Sequence, residues 1–389
     1  MTHPDYEHTR TNALLLAFGF GVLALGAVAA MLALGLSSPA RDEIDAAASG
    51  AAASSDRARE QAQRTSDRRS SALAARVPDG QLFAPGSFWN KRLSASVPLD
   101  VNSALLVQNL AAEIAREEAT GIGPWISAGR RSTPLYRVPV GQQRVRVRLE
   151  RGHESFRRSL QRAFASVPIP AGARPADPPD RHMTVWQPGT DKLWEFFGAS
   201  READGWHARW GGAIRRVSKS RGYYTGAAWR GANRGWGATA SSLPVIGGVM
   251  LLDELKRGRV DHALAINVPA ARAGVFAWPA QRTDGVGAPT TLPEGARLRL
   301  DPTLDVGELG LPKLTRIIAR AAQRYGLVVR DQTGNGISLF GENPSQVRGE
   351  PYSKYFRGRT PQELLAGFPW DRLQVLPMHL CTTAPCKRR

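Results

Sequence analysis

Residues 141–150 read GQQRVRVRLE. Val145, Val147 and Leu149 alternate strictly with Arg144, Arg146 and Arg148. Successive side chains of an extended chain point to opposite faces, so one face is apolar and the other carries three guanidinium groups. That is a half-buried strand. The same reading extends outward to His182–Gln187, Lys192–Phe197, His262–Val268, Gly274–Trp278, Ala296–Leu300 and Leu327–Asp331, which Gly, Pro and Asp separate. Helices are few. Ser103–Glu118 spaces Leu106, Leu110 and Ile114 four apart, with Asn102 or Ser103 as cap. Leu314–Tyr325 puts Ile317, Ile318, Ala321 and Tyr325 on one stripe and stops at Gly326. Val249–Arg257 is a short third, and Thr360-Pro361-Gln362-Glu363 has the form of a capping box opening a last one. There is no strand–helix–strand rhythm and no repeat with a period of about 20–50 residues. The pattern predicts a mainly β fold, an antiparallel β-sandwich or jelly-roll-like domain with a few peripheral helices.

The N-terminal part reads differently. Ala13–Leu36 is a run of 24 residues without a charged side chain. As a helix it is about 36 Å long, against a hydrocarbon core of about 30 Å. A cleaved signal has an apolar region of only about 7–15 residues, and here the small residues Ala27, Ala29 and Ala30 fall inside the run. A retained signal-anchor is therefore expected, a single transmembrane helix over 13–36. The flanks nearly balance in charge, Arg10 against Asp5 and Glu7, then Arg41 against Asp42 and Glu43. The short segment 1–12 decides the orientation: cytoplasmic N-terminus, bulk of the chain extracytoplasmic. Residues 37–77 are rich in Ala, Ser, Arg and Asp with mixed charge, a spacer that cannot bury a core. The remaining 78–389 is the β-rich domain. Its two cysteines, Cys381 and Cys386, are expected to bridge in an oxidising compartment. With only His379 nearby they do not make a zinc site. No metal and no cofactor is expected.

The formal net charge is +18, and 1–40 and 41–78 carry −1 and +1, so the excess lies in the domain. Only seven of the 52 basic residues are Lys. A field this positive attracts polyanions. Outside a membrane these are anionic wall polymers and lipid head groups, whereas nucleic acid is not an expected partner.

Four stretches carry residues suited to chemistry. Asp180 and His182 in PDRH share a face at a strand start, where a carboxylate can orient an imidazole for acid–base work. Glu195 stands beside Trp194 on a strand, and Trp206 and His207 follow; burial among aromatics raises a carboxyl pKa, as a general acid requires. Glu254 ends a short helix in LLDELKRGRVDHAL, and His262 opens the next strand. The loop 221–243, RGYYTGAAWRGANRGWGATASSL, interleaves glycines with Tyr223, Tyr224, Trp229, Arg230 and Trp236, a composition suited to stacking on sugars and holding carboxylates. No HExxH, GxSxG, CxxC, SxxK, phosphate-loop or calcium-loop pattern is present.

The order SFWN at Ser87, PDRH at Pro179, GWHARWGGA at Gly205, LPVIGGVMLLDELKRGRVDHAL at Leu243, PEGARLRLDP at Pro293 and RYGLVVRDQTG at Arg324 resembles a family of secreted or membrane-anchored bacterial envelope proteins of uncharacterised activity. The resemblance spans about 85–345. It implies an envelope location and signature positions at Asp180, His182, the acids before Gly258, and His262. The chain departs from the family at Arg330-Asp331-Gln332, where an ADNG-like sequence is usual, which argues against a role for Asp331.

These readings lead to a carbohydrate-active envelope enzyme, a glycoside hydrolase or polysaccharide lyase acting on cell-wall or extracellular polysaccharide. As a hydrolase it would pair Glu254 with Asp180 or Glu195. As a lyase it would use His182 or His262 as base and an Arg to neutralise a uronate. Either requires the five catalytic candidates to share one cleft. The alternative is a non-catalytic binding protein for anionic envelope polymers.

Overall fold

The computed structural model describes residues 81–150, 154–334, 336–384 and 386, with Gln61 upstream of them. The flank 1–12, the helix expected over 13–36 and, Gln61 apart, the spacer 37–77 lie outside the described residues. Among the described residues no helix is long and apolar enough to cross a membrane.

The fold is mostly sheet, in several sheets, with few helices. The largest sheet has six strands in the order β1 (Trp125–Ser127), β13 (Ser338–Phe340), β9 (Leu264–Val268), β12 (Leu327–Gln332), β11 (Arg297–Leu300), β14 (Leu373–Val375). A four-stranded sheet runs β2 (Leu135–Arg137), β4 (Met183–Gln187), β5 (Lys192–Phe197), β8 (Trp210–Arg215). Smaller sheets join β3 (Val147–Leu149), β7 (Gly205–Ala208) and β6 (Ser200–Glu202), and β10 (Phe276–Ala277) with β15 (Leu380–Cys381). Cys381 is disulfide-bonded to Cys386, with Cα atoms 5.7 Å apart.

The expectation of an antiparallel β-sandwich or jelly-roll-like domain is corrected in strand direction. β1–β13, β9–β12, β2–β4 and β3–β7 pair in parallel. Alternation along a strand reports which face is buried and says nothing of its neighbour's direction. That direction is set by long connections, such as the one from β9 to β12, which carries a helix.

Local patterns explain the elements. Val147 and Leu149 are buried while Arg144, Arg146 and Arg148 stay exposed, although only Val147–Leu149 is laddered. Helix α1 (Ser103–Thr120) buries Leu106, Leu110 and Ile114, and Gly121 ends it in the left-handed region. Helix α2 (Glu154–Ala163) lies beside β3, and helix α3 (Leu252–Arg257) is a short turn closed by Gly258. Helix α4 (Lys313–Arg324) packs Leu314, Ile317, Ile318 and Ala321 inward against the large sheet. At Thr360 the capping box forms, with Thr360 and Glu363 bonded reciprocally, but residues 361–367 run in turns and not in an α-helix.

Two apolar cores result. One gathers around the four-stranded sheet, with Trp194, Phe196, Ile214, Tyr224 and Trp236. The other lies between the six-stranded sheet and its helices, with Ile266, Ile318 and Val329. Trp89, from SFWN, belongs to the first core and is only 1% exposed; its Nε1 donates to the Gly222 carbonyl at 2.9 Å. Gly248, at φ +74°, lets the backbone pass between Trp89 and β9: a Cβ there would stand 2.3 Å from the Ala265 nitrogen. Trp89→Ala is expected to lower the unfolding free energy by about 3–5 kcal/mol in a urea titration; an unchanged midpoint would show that SFWN is not part of the core.

Candidate functional site

A cavity of about 390 Å³ opens between residues of the two large sheets. Asp180 and His182 line it from the entry to β4, Phe197 and Trp210 from the four-stranded sheet, Arg330 and Asp331 from β12, and residues 237–240, Arg282 and Asp284 from loops.

Each wall has a local cause. The PDRH turn is held to the end of β5, because the Gly198 and Ala199 N–H groups donate to the Asp180 and Arg181 carbonyls. His182 is partly buried, and its Nε2 lies 3.0 Å from the Ala238 carbonyl oxygen. A carbonyl only accepts, so Nε2 carries the proton and Nδ1 is the basic nitrogen. Burial holds the imidazole below its ordinary pKa of 6.5; the Asp180 charge and the Ala238 bond oppose that, and Arg330 adds to it. His182 is therefore a neutral base near pH 7.

On β12 the register with β9 shifts between Val329 and Asp331. A bulge of this kind re-aims side chains. Val329 packs in the second core, whereas Arg330 and Asp331 both reach the cavity. The Arg330 guanidinium is 3% exposed, lies 4.1 Å from the Phe340 ring centroid and donates through Nη1 to the Val245 carbonyl. Burial pulls its pKa down to about 10. Arg282 is clasped by carbonyls: Nε donates to Ala240, Nη1 to Gly235, and Nη2 to Gly237 and Thr239, at 2.7–3.2 Å.

A carboxylate cluster adjoins the arginines. Asp284, Glu294 and Asp331 each present an oxygen within 4.8 Å of the others. Burial raises all three, and the charges of Asp331 on Glu294 and of Asp284 on Asp331 raise them further.

Glu195 lies behind the cavity wall, fully buried. Its Oε1 accepts from the Ala238 N–H at 2.9 Å and its Oε2 from the Val245 N–H at 2.8 Å. Burial pushes its carboxyl up to about 7, against those two bonds. Gly212, its partner across β8, makes room for the Tyr224 ring, since a Cβ there would meet that ring at 2.3 Å. Glu195 is thus a positioning residue for the loop that bonds His182.

The five catalytic candidates do not share one cleft. Asp180 and His182 meet in the cavity, with Glu195 behind it. Glu254 and His262 pair with each other elsewhere: His262 Nε2 stands 3.0 Å from Glu254 Oε2, which also accepts from the Leu251 N–H at 3.0 Å. His262 Nδ1 faces its neighbour's carbonyl, so both ring nitrogens donate. Burial lowers the His262 pKa, but the Glu254 charge and hydrogen bond outweigh it and the net shift is upward. This is a buried ion pair whose carboxylate also caps the first turn of α3 through the Leu251 N–H. His207 bonds Asp204 at 2.8 Å on the β6–β7 hairpin.

The stacking platform is also corrected. Trp194, Trp206, Tyr223, Tyr224 and Trp236 are buried in the first core, Trp229 packs against it, and Arg230 is exposed away from the cavity lining. Of this loop's glycines, Gly222 makes room for the Trp89 ring and Gly237 for the Ser242 backbone. Sequence reasoning missed Trp210, Arg282, Asp284, Glu294, Arg330 and Asp331. Asp331, against which the resemblance argued, lines the cavity, and Gln332 donates to the carbonyl of Asp284.

No family model, no curated protein and no solved structure matches the chain.

The Glu254–His262 assignment has a pH signature. The folded His262 pKa is raised, so the pair's stabilisation is complete below 6.5 and is lost as pH rises through the raised value. Glu254→Gln is expected to cost about 1–3 kcal/mol in urea at pH 6, and less as pH increases. A penalty independent of pH would contradict the assignment.

Proposed function

We propose that the chain is a membrane-anchored, extracytoplasmic enzyme that cleaves an acidic cell-wall or extracellular polysaccharide by elimination, with His182 as base. The observation that carries this reading is the cavity that holds a neutral His182, oriented through Nε2, together with Arg282 and Arg330. The expectation that all five residues share one cleft fails, and with it the hydrolase pairs built on Glu254, which is tied to His262; the elimination needs only His182 and the cationic side chains of this cavity.

In the proposed step, His182 Nδ1 takes the hydrogen on the carbon next to a uronate carboxylate. That electron pair forms a carbon–carbon double bond as the neighbouring glycosidic carbon–oxygen bond breaks. The leaving oxygen takes a proton from water. The positive side chains at the cavity draw in the acidic ring and stabilise the charge that grows on its carboxylate. Asp180 keeps the imidazole basic enough to act. The anchor over 13–36 and the spacer 37–77 would hold this domain near its polymer.

A second reading has its own support. Arg215, Arg216, Lys219 and Arg221 line a separate hollow of about 470 Å³, a basic surface suited to retaining an anionic polymer without chemistry.

Incubation with a panel of uronate-containing glycans is expected to give ultraviolet-absorbing unsaturated ends. His182→Ala should lower kcat by about 10²–10⁴-fold with the urea midpoint unchanged. The rate should fall as pH drops through the His182 value, which lies below 6.5, because the base is then protonated. Retention of polymers without any product would establish the binding protein instead.

A further inference from the structure

Glu294 is fully buried, and neither of its carboxylate oxygens has a hydrogen-bond partner. Thr283 and Asp331 act on its carboxyl without completing a hydrogen bond to it. A carboxylate taken out of water ordinarily accepts several hydrogen bonds or pairs with a cation. The adjacent arginines do neither for Glu294. Arg282 directs its donors at four carbonyls, Arg330 Nη1 serves Val245 and Gly247, and both reach the acids only through longer-range charge.

Glu294 instead points at two more carboxylates. Its oxygen lies within 4.8 Å of oxygens from Asp284, which is exposed, and Asp331, which is partly so. Oxygens on opposite sides of one calcium ion stand about 5 Å apart, since each bond is about 2.3–2.6 Å. The β12 bulge brings Asp331 into register beside Asn267, whose Oδ1 is also buried without a partner and which lines the same cavity. All these donors are oxygen, the preference of hard cations and not of zinc or copper.

We propose that Asp284, Glu294 and Asp331 bind a hard divalent cation, best calcium, at the edge of the cavity. The ion would offset the negative charge of the cluster, which otherwise opposes an acidic ligand at this edge. With the ion in place the same edge offers a ligand carboxylate an open coordination position on the cation. That second role rests on the proposed elimination, whereas the binding site itself does not.

The test uses the full chain in detergent, stripped with chelator and titrated with Ca²⁺, Mg²⁺ and Mn²⁺ by calorimetry. Terbium luminescence sensitised by Trp210 and displaced by Ca²⁺ gives a second readout. One Ca²⁺ site is expected, weakened at least tenfold in both Glu294→Gln and Asp284→Asn; the latter, at an exposed position, guards against misfolding. Absence of binding by all three ions, or binding unchanged in both variants, overturns the proposal. Calcium binding without any glycan product would keep the site and sink the elimination. Product formation untouched by chelator, with no binding, would do the reverse.

Discussion

Glu195 holds the structure's decisive loop from one side and Arg330 holds it from the other. The carboxylate receives the Ala238 and Val245 N–H groups, and the guanidinium donates to the Val245 carbonyl. Ser241 adds a bond to the Arg330 carbonyl. A loop with this many buried peptide groups is stable only if each finds a partner, since an orphaned one costs about 1–3 kcal/mol. The two sheets supply those partners. The carbonyls left over, from Gly235 to Ala240, clasp Arg282 and bond His182. The cavity wall is therefore a by-product of satisfying a buried backbone, and its positive groups are fixed before any ligand arrives.

Much of the fold could be read from the residues. The alternation in Gly141–Glu150 located a buried face, and the runs at Lys192–Phe197 and Leu327–Asp331 fall on β5 and β12. The spacing of Leu106, Leu110 and Ile114 located α1. Strand direction and sheet partners were not legible, because they follow from connections and not from local pattern. Trp210–Arg215, with its two glycines, carries no alternation, yet pairs with β5 as β8, and Gly212 there leaves room for Tyr224.

The site was legible in one part only. Asp180 and His182 lie two apart on extended chain, and the cavity receives both. The acids and arginines opposite them come from segments about 100–150 residues away and are re-aimed by a bulge, which no periodicity signals. Aromatic–glycine loops have the same composition whether they stack on sugars or pack in a core; Trp236 and Tyr224 do the latter. Paired acids and histidines are equally ambiguous, as Glu254 and His262 show by forming a structural pair.

The central claim is that an acidic glycan occupies the cavity between the two sheets and not the basic hollow at Arg215–Arg221. Hydrogen exchange with and without a uronate oligosaccharide locates the ligand on the backbone. Slowed exchange is expected at residues 237–240 and 330–333. Slowing confined to 215–228, with the cavity segments unchanged, would contradict it.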